Sequence, residues 1–229
     1  MAGVPNGVLA AYDGRAWVDW SWVGDHGDEI LSRLREHATL TLWAMVLGIA
    51  IAFPLALVSV NRHRTRKFVL ATTGILYTIP SLAAFALLLP YTGLSRTTAI
   101  IPLATYTLLI LIRNIVAGLD AVPADVQDAA IGMGYSRSRK MLRVDLPLAL
   151  PTIFAGIRIA AVTIIGLIPV AALIGQGGLG QLMRDGFDRD FRTPLTVAVV
   201  LTVALAFTVD ALLLIVQRLL TPWSRGRTR

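Results

Sequence analysis

Long apolar runs separated by short charged stretches give this chain its rhythm. Residues 38–60 and 68–89 hold no charged side chain, 97–119 are interrupted only by Arg113, 148–174 only by Arg158, and 194–216 only by Asp210. A helix needs about 20 mostly apolar residues to cross the hydrocarbon of a bilayer, and each run meets that length. The pattern predicts an all-α membrane protein with about five transmembrane helices, since a helix satisfies its backbone polar groups within one segment. A transmembrane domain over 38–220 follows, with segment 1–37 before it and a basic tail, 221–229, after it.

Composition agrees with the pattern. Of 229 residues, 55% are hydrophobic and 15% charged, whereas a soluble domain carries about a quarter charged. The formal charge of +7 does not indicate nucleic acid, because the basic residues are divided among short loops and form no stripe interleaved with aromatics. The chain has no cysteine, which excludes disulfides and thiolate metal sites. His26, His37 and His63 are too far apart in sequence to suggest a metal site.

Lys and Arg divide unequally between the two sets of loops. One set carries Arg62, Arg64, Arg66 and Lys67, then Arg113, Arg137, Arg139, Lys140 and Arg143, then Arg218, Arg225, Arg227 and Arg229. The other carries Arg15, Arg33, Arg35, Arg96, Arg184, Arg189 and Arg192. Cytoplasmic loops concentrate positive charge, so five crossings place the N-terminus outside and the C-terminus inside. The acidic residues Asp13, Asp19, Asp25, Asp28 and Glu29 near the start argue against a cleavable signal peptide. Ile30, Leu31, Leu34 and Ala38 recur at helical spacing, which predicts an interfacial helix over 30–37 on the outer membrane surface. Trp17, Trp20 and Trp22 suit an interfacial belt or pack against that helix.

The cytoplasmic loop 120–147 is the least lipid-like part of the domain. Pro123 and Asp125 mark a helix start near Val122. Val122, Val126, Ala129, Ala130 and Met133 then share one face, with Asp125 and Asp128 on another. Gly134 is placed to end this helix in a left-handed turn, and Ser136 to cap a second one through Arg137, Arg139, Lys140 and Arg143. Spacing alone leaves two readings open for this pair of short helices: an amphipathic hairpin on anionic lipid, or a handle for a cytoplasmic protein.

Asp128-Ala129-Ala130, Gly134, Val144 and Leu146-Pro147 resemble the EAA motif of permease subunits in binding-protein-dependent ABC importers, with Asp for the usual Glu and Val for the usual Ile. The resemblance implies a type I importer permease (MetI-like) fold in which this loop is the coupling helix that docks on an ATP-binding subunit. Asp128, Ala129, Ala130, Gly134, Leu146 and Pro147 are its expected coupling residues. Further stretches (Thr78-Ile79-Pro80-Ser81-Leu82-Ala83, Arg113-Asn114 with Gly118-Leu119, Leu146 to Pro151, Ala155 to Arg158, and Ile174 to Gly180) are similar to permeases for glycine betaine, choline and carnitine. Methionine permeases share the coupling motif and a similar glycine-rich segment, and stand as the alternative for the solute.

Several residues within the spans are candidates for the translocation path or a gate. Pro80 interrupts the hydrogen-bond ladder of a span, with Tyr77 and Ser81 beside it; packing alone also accounts for such residues. Arg158 and Asp210 each cost about 2.5 kcal/mol or more near the bilayer centre, so they pair with each other, line the path or sit near the inner boundary. Gly177 and Gly178 belong to a glycine-rich run, 175–180, expected just outside the fourth span as a gate or a docking surface for the binding protein, with Asp185, Asp188 and Asp190 nearby. That run follows no strand and faces the wrong side for nucleotide. No GxxxxGK[ST] sequence occurs, so ATP and its magnesium belong to another chain.

Taken together, these features and the resemblance imply a multi-pass permease subunit of a bacterial-type plasma membrane, which holds no cofactor and is not itself an enzyme. Its expected partners are two ATP-binding subunits, a second permease subunit (identical or homologous), an extracytoplasmic substrate-binding protein, a small solute and the lipid bilayer. An ion-coupled secondary transporter would need more spans or an inverted repeat. A membrane scaffold that binds lipid through its basic loops would need no ATPase.

Overall fold

The computed structural model describes residues 17–60 and 62–223, so Arg15 and the arginines of the basic tail lie outside it. A short helix, α1 (Trp20–Asp25), is capped by Asp19, whose carboxylate accepts from the backbone N–H groups of Ser21 and Trp22. Hydrogen bonds from the Ser21 hydroxyl and the Trp22 N–H hold that carboxyl below its ordinary range. Next comes α2 (Gly27–Val60), whose 34 residues extend about 50 Å at 1.5 Å per residue. Residues 30–37 are the first turns of this helix and not a separate interfacial helix. Their apolar side is absorbed by packing: Ile30 and Leu34 lie against Leu179 and Leu182.

The second apolar run is broken. Here α3 (His63–Thr78) and α4 (Ser81–Thr92) meet at a bend of 93°. Pro80 has no N–H to give the Leu76 carbonyl and also keeps Ile79 out of the helical region, at ψ 126°. The straight span expected over 68–89 is therefore two helices, while α5 (Arg96–Asp120) runs unbroken for 25 residues.

Contacts at the two ends of α5 show how the bent pair is threaded. At one end Asp120 pairs with Arg66 of α3 at 2.7 Å. About 33 Å away along α5, Thr98 bonds to Thr92 and to the Gly93 carbonyl at the end of α4. The bent pair thus leads from one end of α5 to the other and counts as one crossing. With α2, α5 and the two later long helices it makes five among the described residues.

The loop 120–147 contains α6 (Ala124–Gly132) and α7 (Arg137–Lys140). A π-helical turn, Met141–Asp145, continues directly into α8 (Leu146–Leu167), and a 3-10 segment, Ile168–Ile174, completes that crossing. What the spacing suggested was a second short helix is instead the start of a 38-residue helical rod, Arg137–Ile174. Beyond it, α9 (Leu179–Asp188) lies at the end where α2 begins, and α10 (Arg192–Leu220) makes the last crossing. The Asp19 N–H donates to Thr193 Oγ1 at 2.9 Å, so the two ends of the described chain enter the bundle from opposite sides.

Helix α5 is the hub of the bundle. Leu103, Leu111, Ile112 and Val116 are almost completely buried, between α2 and α8. Close approach needs small residues, since in lipid helices associate by van der Waals contact and not by escape from water. A Cβ on Gly48 of α2 would lie 2.0 Å from Thr107 Oγ1, and one on Gly156 of α8 would lie 2.3 Å from Asn114 Cβ.

Candidate functional site

At the basic end of the bundle, α6 and α7 form a corner. Pro123 is the N-cap of α6, one residue later than the sequence suggested, and the Gln127 N–H bonds to its carbonyl. The helix ends where Gly134 takes φ +79°; the Gly134 N–H donates to Ile131 O and the Tyr135 N–H to Ala130 O. Ser136 caps α7 by accepting from the Arg139 N–H. The left-handed turn and the second cap stand as the sequence indicated.

The buried face of α6 is narrower than its apolar residues suggested. Val122 and Ala130 are buried and Val126 partly so, whereas Ala129 and Met133 are exposed, together with Asp125, Asp128 and Ile131. A nine-residue helix against a corner covers only one row of residues at i and i+4, and Ala129 and Met133 lie beside that row. Ile131 and Met133 are 59% and 69% exposed and leave a bare apolar and acidic surface. Leu146 and Pro147 are half-buried at the root of α8.

Beneath the corner lies a polar group not foreseen from the sequence. Lys140 Nζ donates to Gln127 Oε1 at 2.7 Å and to both oxygens of Asp145 at 2.8 and 3.0 Å, while Gln127 Nε2 donates to the Val122 carbonyl at 3.1 Å. The π turn lets Lys140 and Asp145 face each other: the Leu146 N–H reaches back five residues to Met141 O.

Within the spans, two carbonyls at helix breaks made by prolines accept from a side chain of another helix. Next to Pro80, the Ile79 carbonyl accepts from the Tyr106 hydroxyl of α5. Pro169 cannot bond to the Ile165 carbonyl, which accepts instead from His37 Nε2 at 3.1 Å. A carbonyl only accepts, so Nε2 carries the proton, and buried Nδ1 has no partner.

The path candidates separate into three groups. Tyr77, Pro80 and Ser81 cluster at the bend, with the Tyr77 ring edge-on to Tyr106 at 5.8 Å; Tyr77 is 39% exposed and Pro80 exposed. Arg158 and Asp210 form a two-pronged ion pair, both contacts 2.7 Å, between α8 and α10. Gly177 and Gly178 are buried and present no exposed docking surface: a Cβ on Gly178 would come within 2.6 Å of the His37 backbone, and one on Gly177 within 2.5 Å of Ala172 N. The Gly177 N–H also faces Glu36 Oε1 at 3.4 Å. The glycine run is a tight joint between the early turns of α2 and the 3-10 segment that follows α8. These three groups are separated in the bundle, and among the described residues no set of three His, Asp or Glu side chains is arranged to hold a metal.

A profile of the family described as binding-protein-dependent transport system inner membrane component matches residues 44–225. The choline transport system permease protein OpuBB of Bacillus subtilis is 32% identical over 204 residues, covering 89% of this chain and 94% of that protein. The osmoprotectant import permease protein OsmW of Salmonella typhimurium is 34% identical over 203 residues, covering 86% and 94%. The carnitine transport permease protein OpuCB of Listeria monocytogenes is 33% identical over 164 residues, covering 72% and 75%. Among solved structures, an inward-facing form of the MetNI methionine ABC transporter matches at a TM-score of 0.76 and 23% identity, over 84% of this chain and 96% of that one.

Proposed function

The chain belongs to the family of binding-protein-dependent transport system inner membrane components and is a multi-pass permease subunit of an ABC importer; from that premise we infer that it moves a quaternary-ammonium compatible solute such as glycine betaine, choline or carnitine. It is a transport subunit and not an enzyme, and it works with an ATPase and a substrate-binding protein. The solute reading rests on the relatives, which are named for choline, carnitine and osmoprotectant transport. The methionine transporter supports the fold only, at 23% identity.

The exposed surface of α6 is the observation that carries the mechanism. Asp128, Ile131 and Met133 protrude from a capped helix at the basic end, where the positive-inside rule places the cytoplasm. In this reading two ATPase subunits, each holding ATP and magnesium, dock on α6 of this chain and of a second permease subunit. Their closure pulls the corner at Gly134, with Leu146 and Pro147 carrying the pull into the membrane. The N-terminus lies outside and the C-terminus inside.

The solute path runs between the two permease subunits. Tyr77, Pro80 and Ser81 line it at the bend, where Tyr77 offers a ring face to a passing cation. Arg158 and Asp210 remain 27% and 32% exposed in this chain. Hydrocarbon is a poor cover for charge, so that side of α8 and α10 faces water or the second subunit. Gly177 and Gly178 close the outer end by close packing.

The test is ATP turnover by the reconstituted complex, with its binding protein, as the solute is varied. Stimulation by glycine betaine, choline or carnitine at micromolar concentration is expected. Stimulation by methionine alone would transfer the chain to the other solute class.

A further inference from the structure

We propose that Lys140 is a positioning residue for transport: its ammonium group locks the coupling helix to the transmembrane rod, so that the two move as one body. This rests on the transporter reading above and goes beyond it, because Lys140, Asp145 and Gln127 are not among the residues that the coupling motif specifies.

The geometry shows why a lock is needed. Helix α6 is joined to α7 through Gly134, a residue with no side chain and a positive φ, and a Cβ there would meet nothing within 4 Å. That corner is an open joint. A pull applied to exposed Asp128, Ile131 or Met133 would turn α6 about it before displacing α8, unless something bridges the gap.

Lys140 provides the bridge. One ammonium group is shared between Gln127 on α6 and Asp145 on the π turn, at 2.7 to 3.0 Å. Side-chain exposures of 15% and 8% for Lys140 and Asp145 keep water from competing for the pair. Gln127 in turn holds the Val122 carbonyl after α5, so α5, α6 and α8 converge on one cation. Lysine suits the place because its three donors radiate from one nitrogen and can serve acceptors on two elements.

The π turn adds to the argument. It places Asp145 inward five residues after Lys140, and π turns recur where function has been inserted into a helix. If stability alone were served, an apolar pair of similar volume would do as well, since replacing a buried ion pair with hydrophobic residues is often neutral.

The experiment uses the full complex, permease with its ATPase and binding protein, in proteoliposomes, with glycine betaine as the probe solute. The variants are Lys140→Met, the double variant Lys140→Met with Asp145→Leu, and Lys140→Arg. The double variant leaves no buried charge unpaired, so it folds if the pair matters only for motion. Because the chain has no cysteine, spin labels at Asp125→Cys on α6 and Val162→Cys on α8 also report the distance between these helices before and after ATP and magnesium.

In the parent chain that distance is expected to stay constant while uptake proceeds. In Lys140→Met and in the double variant the complex assembles, ATP turnover remains within about threefold of the parent, solute accumulated per ATP falls at least tenfold, and the distance changes on adding ATP. Lys140→Arg, which keeps a cation, recovers most of the coupling. A double variant that transports glycine betaine at the parent ratio, with an unchanged distance, overturns the lock. If the parent complex hydrolyses ATP but takes up no glycine betaine, only the solute reading fails, and the lock is decided by the distance, which must stay constant in the parent and change on adding ATP in Lys140→Met. A parent distance that itself changes on adding ATP overturns the lock.

Discussion

At the scale of single residues, the recurrent problem in this bundle is the backbone carbonyl that a proline leaves without a donor. Pro169 creates one at Ile165 and the break at Pro80 leaves another at Ile79, and His37 and Tyr106 fill them from other helices. An unsatisfied group in a membrane costs several kcal/mol, so these two side chains fix where α3 may bend and where α8 may tighten into a 3-10 turn. The opposite case is Gly134, which needs no packing and only freedom of φ. Gly134→Ala should therefore cost about 1 kcal/mol of local strain and leave uptake within a few-fold of the parent. Gly134→Pro fixes φ near −65° and should uncouple ATP turnover from uptake. Parallel measurement of hydrolysis and glycine betaine uptake checks both; normal accumulation in the proline variant would contradict a need for the left-handed corner.

At the scale of elements, α10 stands out because the most apolar stretch of its length holds no buried residue. Its buried residues, Thr193, Pro194, Ala198 and Thr202, all lie in its N-terminal half. Deeper along the helix, the bidentate contact of Asp210 with Arg158 is what fastens it to α8. Replacing one partner leaves an unpaired charge among apolar neighbours, whereas removing both does not. Arg158→Ala and Asp210→Ala are each expected to lower the melting temperature of the purified complex by more than the double variant does, with a coupling energy of at least about 1 kcal/mol. Additive losses would mean that the two charges act independently, as path residues facing water.

At the scale of the whole molecule, five crossings among the described residues follow from the threading of the bent pair along α5, and residues 17 and 223 fall at opposite ends of the bundle because the count is odd. Which end faces the cytoplasm is a matter of charge, and it can be measured. A cysteine replacing Phe187, which is 80% exposed after the glycine run, should react with an impermeant maleimide in intact cells. A cysteine replacing Ser138, exposed on α7, should react only after permeabilisation. The reverse pattern would invert the topology and place α6 out of reach of any ATPase.

Hydropathy alone determined the all-helical class, the approximate place of every crossing and the non-lipid character of the loop 120–147, because the length and polarity of a crossing are dictated by bilayer thickness, a local requirement. The left-handed turn at Gly134 and the cap at Ser136 were legible for the same reason: each is settled within four or five residues. Tertiary structure decided what depends on distant partners. It turned the second crossing through 93°, extended the first helix through the expected surface segment, and buried Gly177 and Gly178 against α2 and the end of α8. It also brought Arg158 to Asp210 and gathered Gln127, Lys140 and Asp145 around one ammonium group. A proline announces in the sequence that a carbonyl will lack a donor, but which hydroxyl or imidazole arrives to fill it is fixed only when helices far apart in the chain pack side by side.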